Sequence, residues 1–335
     1  MLRFIVRRLL QLVLVVFVLS ILLFAWLRAL PGGVVSAMLG ERATPESRAA
    51  LTAELGLNDP LPVQYWRFLQ RALQGDFGAS TSVQVGRPAM EVFLERFPAT
   101  IELALGAMLI ALLLAIPLGY VAARRRGSAL DNLSVVGSLV GVAVPVFFLA
   151  FLLKYYFSIK LGWLPVSGRQ DVGDATRVTG FFVLDGILTR EWDASLDALK
   201  HLVLPSIALA SIPFAMIFRI TRASVLDVLD EDYVRTAQSK GLGSRVIRGR
   251  HVMRNALLPI VTAVGLQTGA LLGGAVLTET VFNFPGIGQA LSQSFSSRDF
   301  AVLQVIILAA AIVYVLVNLV VDVLYAVIDP RVRTR

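Results

Sequence analysis

Six windows of this chain carry no charged residue at all: Leu9–Leu27, Leu103–Ala123, Leu133–Leu153, Leu202–Phe218, Ala256–Thr278 and Ala301–Val321. Each is 17 to 23 residues long, close to the ~20 residues a helix needs to cross a hydrocarbon core of about 30 Å. A large soluble protein can bury one or two such runs, but not six in 335 residues. Charged residues make up 16% of the chain and apolar residues 56%, against about 25% charged in soluble domains. The expected fold class is therefore all-α, a polytopic membrane protein with six transmembrane helices. Arg3, Arg7 and Arg8 precede the first window as they would in a signal peptide. Its 19 uncharged residues exceed the ~7–15 of a signal core, and no small-x-small cleavage site follows, which favours a retained span.

Basic residues set the expected orientation. With the N-terminus inside, the inner segments hold Arg3, Arg7, Arg8, then Arg124, Arg125 and Arg126, then eight in the stretch Arg219–Asn255, then Arg331, Arg333 and Arg335. The outer segment Pro31–Phe97 is balanced, six Lys/Arg against seven Asp/Glu. The positive-inside rule thus places both termini and the basic stretch in the cytoplasm. The net charge of +8 is answered by anionic headgroups of the bilayer and calls for no nucleic acid. Three parts are expected: 1–30, the N-terminal end and first span; 31–97, an extracytoplasmic region of amphipathic helices; and 98–335, a five-helix core that includes the loop 219–255.

Several kinds of chemistry are disfavoured. There is no cysteine, hence no disulfide or thiolate metal site. His201 and His251 fall at opposite faces and cannot share an ion, so no metal site is expected. Neither a G-x-x-x-x-G-K-[ST] phosphate loop nor a G-x-S-x-G or H-E-x-x-H motif occurs, so the chain is read as non-catalytic with no cofactor of its own. An ion-coupled carrier would be expected to place ionisable residues deep in its spans; these windows have none.

The outer region has helical signals: Thr44 as an N-cap before Pro45, with Gly56 as the stop; Pro62 to Leu73 with Tyr65, Phe68, Leu69 and Ala72 on one face before Gly75; and Pro88 to Phe97 with Ala89, Phe93 and Phe97 aligned. These read as a lid over the spans or a docking surface for an external partner. Segment 158–200 gives little beyond a short apolar run at Phe181–Leu188. In the basic stretch, Leu226, Leu229, Tyr233 and Ala237 describe one helix face across Ala223–Lys240. Gly241 fits the left-handed position that ends such a helix, and Ser244 can cap a second one reaching Arg254. Small residues at Ala237 and Gly241 would let another protein approach the backbone.

The run Tyr233-Val234-Arg235-Thr236-Ala237-Gln238-Ser239-Lys240-Gly241-Leu242, followed by Arg254-Asn255-Ala256-Leu257-Leu258-Pro259, resembles the cytoplasmic signature of bacterial ABC importer permeases. It is most similar to the first permease subunit of the oligopeptide/dipeptide importer family. Arg235-Thr236-Ala237 stands where the general motif has Glu-Ala-Ala, and the spacer to Leu258-Pro259 is longer; both departures resemble the peptide branch. Leu55–Gly78, Leu161–Gly168, His201–Ser206, Gly273–Gly288 and Asp322–Arg331 carry the resemblance along nearly the whole chain. It implies a type I importer permease architecture that pairs with a second homologous permease, two cytoplasmic ABC ATPase subunits holding ATP and Mg, and an extracytoplasmic solute-binding protein. The implied solute is a short peptide, relatives also serving nickel, oligosaccharides and glutathione. The loop then docks in a groove of the ATPase, with Tyr233, Arg235, Ala237, Lys240, Gly241 and Leu242 at its core.

Within the spans, Gly265, Gly269 and Gly273 recur every four residues, as Gly137 and Gly141 do in the third window, leaving shallow faces for close helix crossing or for the second permease. Pro205 and Pro213 make the short fourth window either an interrupted helix near a transport path or a kinked one. Gln267, Gln304 and Asn318 are candidate pathway residues; Glu279 and Asp322, near span ends, are expected to anchor or cap.

Overall fold

The computed structural model describes residues 2–29, 35, 39, 44–54 and 56–328. Arg331, Arg333 and Arg335 and the side chain of Asp322 lie outside the described residues. Helices follow one another as α1 (Leu2–Ala29), α2 (Pro45–Glu54), α3 (Leu61–Leu73), α4 (Ala89–Arg124), α5 (Ala129–Ala143), α6 (Val146–Leu153), α7 (Phe182–Leu188), α8 (Trp192–Leu229), α9 (Asp232–Ser239), α10 (Ser244–Val246), α11 (Arg254–Phe282), α12 (Ile287–Ser297) and α13 (Phe300–Ile328). π-helical turns continue α6 over Lys154–Lys160 and join α10 to α11 over Ile247–Met253. Among the described residues the extended structure is confined to one bridge, Ala79 to Pro88.

Four of the six charge-free windows lie in helices long and apolar enough to cross a membrane, and the other two do so only where a bent pair acts as one span. Four are single helices, and two are bent pairs, Ala129–Ala143 with Val146–Lys160 at 103° and Ser244–Leu271 with Gly273–Phe282 at 53°. Three expectations change. The third window is not one straight span: Val144, extended at ψ 122°, precedes Pro145 and breaks it, because a residue before proline is driven out of the α region. The fourth is not short or interrupted. It is the middle of a 38-residue helix that runs through buried Pro205 and Pro213. Third, Pro88–Phe97 is no separate helix but the first turns of the 36-residue α4. A charge-free count stops at the first charged residue, whereas the helix continues past it.

The chain divides into two compact units. The first comprises Met1–Pro98 and Pro285–Leu316. Thr44 caps α2 as expected, its Oγ1 accepting from the Ser47 amide at 3.2 Å. Phe68 of α3 is buried with Leu23, Phe24 and Leu27 of α1 and Leu303 of α13, while Tyr65 and Ala72 pack at the edge. A second cluster joins Ala89, Val92 and Phe93 of α4 to Ile287 and Ala290 of α12 and Val302, Val305 and Ile306 of α13. Asp299, fully buried before α13, organises the turn opposite: its Oδ2 accepts from Ser80 Oγ (2.6 Å) and the amides of Thr81, Ser82 and Val83 (3.1, 3.0 and 3.2 Å).

The second unit, Ala99–Phe284 with Val317–Arg335, is built around α8, which packs against α5, α6, α7 and α11. Close approach of α4 to α8 depends on Gly119, where a Cβ would stand 2.9 Å from both the Phe218 carbonyl oxygen and Thr221 Cβ. A buried ion pair closes this unit: Arg169 Nη2 donates to Glu102 Oε2 at 2.7 Å and also to the Gly180 carbonyl at 2.7 Å. Its guanidinium lies 3.8 Å above the Phe182 ring, and Glu102 Oε1 accepts from the Val183 amide. Burial lowers the Arg169 pKa, and the adjoining Glu102 carboxylate opposes that shift.

Candidate functional site

The basic stretch folds as two helices, though not with the boundaries that spacing suggests. α8 ends at Leu229, so Leu226 and Leu229 belong to it. Glu231, extended at ψ 140°, starts the separate helix α9. The apolar spacing passes straight through this break. On α9 the buried residues are Val234 and Ala237, while Tyr233 is exposed. Val234 joins the core formed with Val225, Val252 and Ala256, so α9 is seated on its own unit. Val234 sits three residues before Ala237 on the same face, a signal overshadowed by the neighbouring tyrosine.

The turn after α9 forms as expected. Gly241 has φ +73°, its amide donates to the Gln238 carbonyl at 2.9 Å, and the Leu242 amide reaches back to the Ala237 carbonyl at 3.2 Å. This pair of bonds is the Schellman arrangement, which favours glycine at the left-handed position. Ser244, expected as a cap, is instead the first helical residue. Gly243, extended and without a side-chain cap, precedes it. From Ser244 the backbone stays helical through the π turns and into α11. Asn255 Nδ2 donates to Tyr233 Oη at 2.9 Å, tying α9 to the start of α11.

The loop thus presents Gln238 to Val246 as a continuous exposed run that includes Lys240, Gly241 and Leu242. Tyr233 and Arg235 are exposed beside it, and Ala237 is turned inward. No atom lies within 4 Å of a Cβ placed at Gly241. Acidic residues (Asp230, Glu231, Asp232) stand at the start of α9, and basic ones (Lys240, Arg245, Arg248, Arg250) after it. One fork that sequence reasoning missed fixes the base of α8: Arg222 Nε and Nη2 donate to Asp131 Oδ1 and Oδ2 at 2.6 and 2.8 Å. The local signal was available, since Ser128 caps α5 and accepts from the Asp131 amide at 3.3 Å. Its partner 91 positions away was not legible.

The candidate pathway residues are dispersed. On α11, Gly265 and Gly269 are buried, Gln267 is half-buried, and Gly273 is exposed with open space beside it. Glu279 is fully buried, its Oε1 accepting from Thr100 Oγ1 at 2.6 Å. The Asn283 amide donates to the Thr280 carbonyl and the Phe284 amide to the Glu279 carbonyl. Asn318 is half-buried on α13. Gln304, in the other unit, lines a pocket of about 150 Å³ with Arg28, Arg71, Arg298, Phe68 and Phe300. A Cβ at Gly141 of the third window would stand 3.7 Å from the Ser211 carbonyl oxygen of α8, whereas one at Gly137 would meet open space.

Residues 115–334 match the family described as binding-protein-dependent transport system inner membrane component, and residues 1–104 match its N-terminal family. The chain is 43% identical to the dipeptide transport system permease protein DppB of Alkalihalophilus pseudofirmus, covering 99% of this chain and 100% of that one. It is 45% identical to the di/tripeptide transport system permease protein DppB of Pseudomonas aeruginosa over 99% of each. Identity to the glutathione transport system permease protein GsiC of Salmonella paratyphi A is 37%, again over 99% of each. Among solved structures, an inward-facing form of the MetNI methionine ABC transporter has a chain that superposes with a TM-score of 0.54 at 14% identity, covering 72% of this chain and 97% of that one. That likeness concerns the fold alone. With full-length relatives above 40% identity and family matches at both ends, this chain belongs to the binding-protein-dependent transport system inner membrane components, the permeases of ABC importers.

Proposed function

We propose that the chain is the permease subunit of an ATP-driven importer of short peptides and forms half of the translocation path. A second, homologous permease supplies the other half. Two cytoplasmic ATPase subunits, which hold ATP and Mg, engage the loop 223–255, and an extracytoplasmic binding protein delivers the solute. Both termini face the cytoplasm, and the chain itself performs no catalysis. The peptide assignment rests on the names borne by full-length relatives; the orientation rests on the distribution of Lys and Arg.

One observation supports the coupling role above the others: α9 is seated by Val234 and Ala237 and followed by a fixed turn and a helix that runs unbroken into α11. A docked ATPase that pushed on this loop would move α11 as a lever. Tyr233, Arg235, Lys240, Gly241 and Leu242 offer the exposed contact, while Ala237 holds the helix that carries them. The open side of Gly273 suits a close crossing with the second permease. Mass spectrometry of the complex purified in mild detergent tests the reading. ATPase and second-permease subunits should accompany the wild-type chain, and the ATPases should be lost when Gly241 is replaced. A well-folded chain that repeatedly purifies alone would contradict it.

A further inference from the structure

At the opposite end of α8 from the loop, His201 is 4% exposed and its ring is oriented by its own helix. Nδ1 lies 2.9 Å from the Asp197 carbonyl oxygen one turn earlier. That oxygen can only accept, so Nδ1 carries the proton, and in the neutral ring Nε2 presents a lone pair. Nε2 is buried and has no hydrogen-bond partner. The group it faces is Asp171 Oδ1, 3.5 Å away, and a lone pair directed at a carboxylate is repulsive unless positive charge lies between them.

The third group is held beside the same ring. Asp197 Oδ2 accepts from the amides of Asp171 and Val172 at 2.6 and 3.2 Å, which fixes both the carboxylate and the segment that carries Asp171. Asp197 Oδ1 stays on the ring side, 3.6 Å from Nδ1. One ligand atom from each of Asp171, Asp197 and His201 lies within 4.8 Å of the other two. We propose that these three residues bind a divalent first-row transition-metal ion, which fastens the segment at 171–172 to α8.

The donor set is one imidazole and two carboxylates, without thiolate, which suits Zn²⁺, Co²⁺, Ni²⁺ or Mn²⁺ better than a soft ion. Bonds of about 2.0–2.2 Å put tetrahedral ligand atoms about 3.4 Å apart, so the group must contract from separations of up to 4.8 Å. Asp171, whose side chain is 81% exposed, is free to supply that movement. A metal-binding histidine whose second nitrogen donates to a backbone carbonyl is the usual supporting arrangement, since that bond sets the tautomer and the ring plane. Three protein ligands leave a position for water. The site stands independently of the transport reading, which contributes only its placement on the extracytoplasmic side.

The test uses the assembled transporter in lipid nanodiscs, purified with a tag free of histidine and stripped with a chelator. Co²⁺ is titrated as an optical probe, and Zn²⁺ as its competitor. The expected result is one saturable Co²⁺ site per copy of this chain, displaced by Zn²⁺, absent in His201→Gln and at least about tenfold weaker in Asp171→Asn. Asp171→Asn is the decisive variant, because an exposed side chain can be changed without disturbing the fold. Wild-type binding no tighter than that of Asp171→Asn, or no saturable site, would overturn the proposal.

Discussion

Gly241 separates backbone strain from docking. Its φ of +73° is left-handed, and any L-residue with a Cβ there costs roughly 1–2 kcal/mol, a β-branched residue most and asparagine least. Because a Cβ at this position meets nothing within 4 Å, there is no packing cost to add. Stability should therefore fall in the order Asn, Ala, Val, from about 1 to about 2 kcal/mol. If a partner surface lies against this backbone, transport follows a different order, set by size: Asn and Val should be impaired alike, and Ala least. A lost contact worth about 1.4 kcal/mol weakens docking about tenfold. The assay is uptake of a labelled dipeptide into ATP-loaded proteoliposomes, with ATPase rate, thermal midpoint and abundance measured on the same preparations. An Asn variant with normal uptake beside a defective Val variant would assign the defect to strain alone. Normal uptake by both, at normal abundance, would refute the docking role.

Three further outcomes follow from buried polar groups. Removing one partner of the Arg169–Glu102 pair, as in Glu102→Ala, strands a buried guanidinium and should cost about 3–5 kcal/mol; a thermal midpoint equal to wild type would contradict this. Asp299→Ala leaves the Ser80 hydroxyl and three amides without their acceptor, so hydrogen exchange should rise sharply at 81–83 while remaining unchanged at Ser128–Asp131. Burial pushes the Asp185 carboxyl up, but hydrogen bonds from the Thr179 hydroxyl and amide and from the Gly180 amide outweigh it and hold the pKa below its ordinary value. A depressed folded pKa gives stability that is complete above the unfolded value of about 3.9 and lost as pH falls through the folded value. Amide protection at Thr179 and Gly180 should thus be level from pH 7 to 5 and fall only in stronger acid. Loss of protection already at pH 5 would show that the ionised carboxylate is not what holds this turn.

Legibility in the sequence followed the range of the interactions. The apolar runs, the Thr44 cap and the Gly241 turn are local, each set by residues within one or two turns; the cap and the turn formed where the pattern placed them, and the runs are helical apart from the break at Val144–Pro145. The break at Pro145 was also local, but hydrophobicity alone is blind to it, since the proline lies within an uncharged run. The division between α8 and α9 was hidden because Leu226, Leu229, Tyr233 and Ala237 keep helical spacing across a residue that is extended. Pairs such as Glu102 with Arg169 and Asp131 with Arg222 are 67 and 91 positions apart. Nothing at one member signals the other, and each emerges only when helices pack. His201 was weighed against the only other histidine, whereas its neighbours in space are two aspartates, one of them on its own helix.

The most direct test of the account is a site-specific crosslink, for which a chain without cysteine is well suited. Leu242→Cys and Leu73→Cys, both at exposed positions, would each carry a short photoactivatable maleimide in the assembled transporter. The account predicts that Leu242→Cys captures the ATPase subunit, with a yield that changes on trapping the nucleotide-bound state, and that Leu73→Cys does not. Capture of the ATPase from position 73, or none from position 242 in an intact and active complex, would contradict both the docking loop and the orientation it requires.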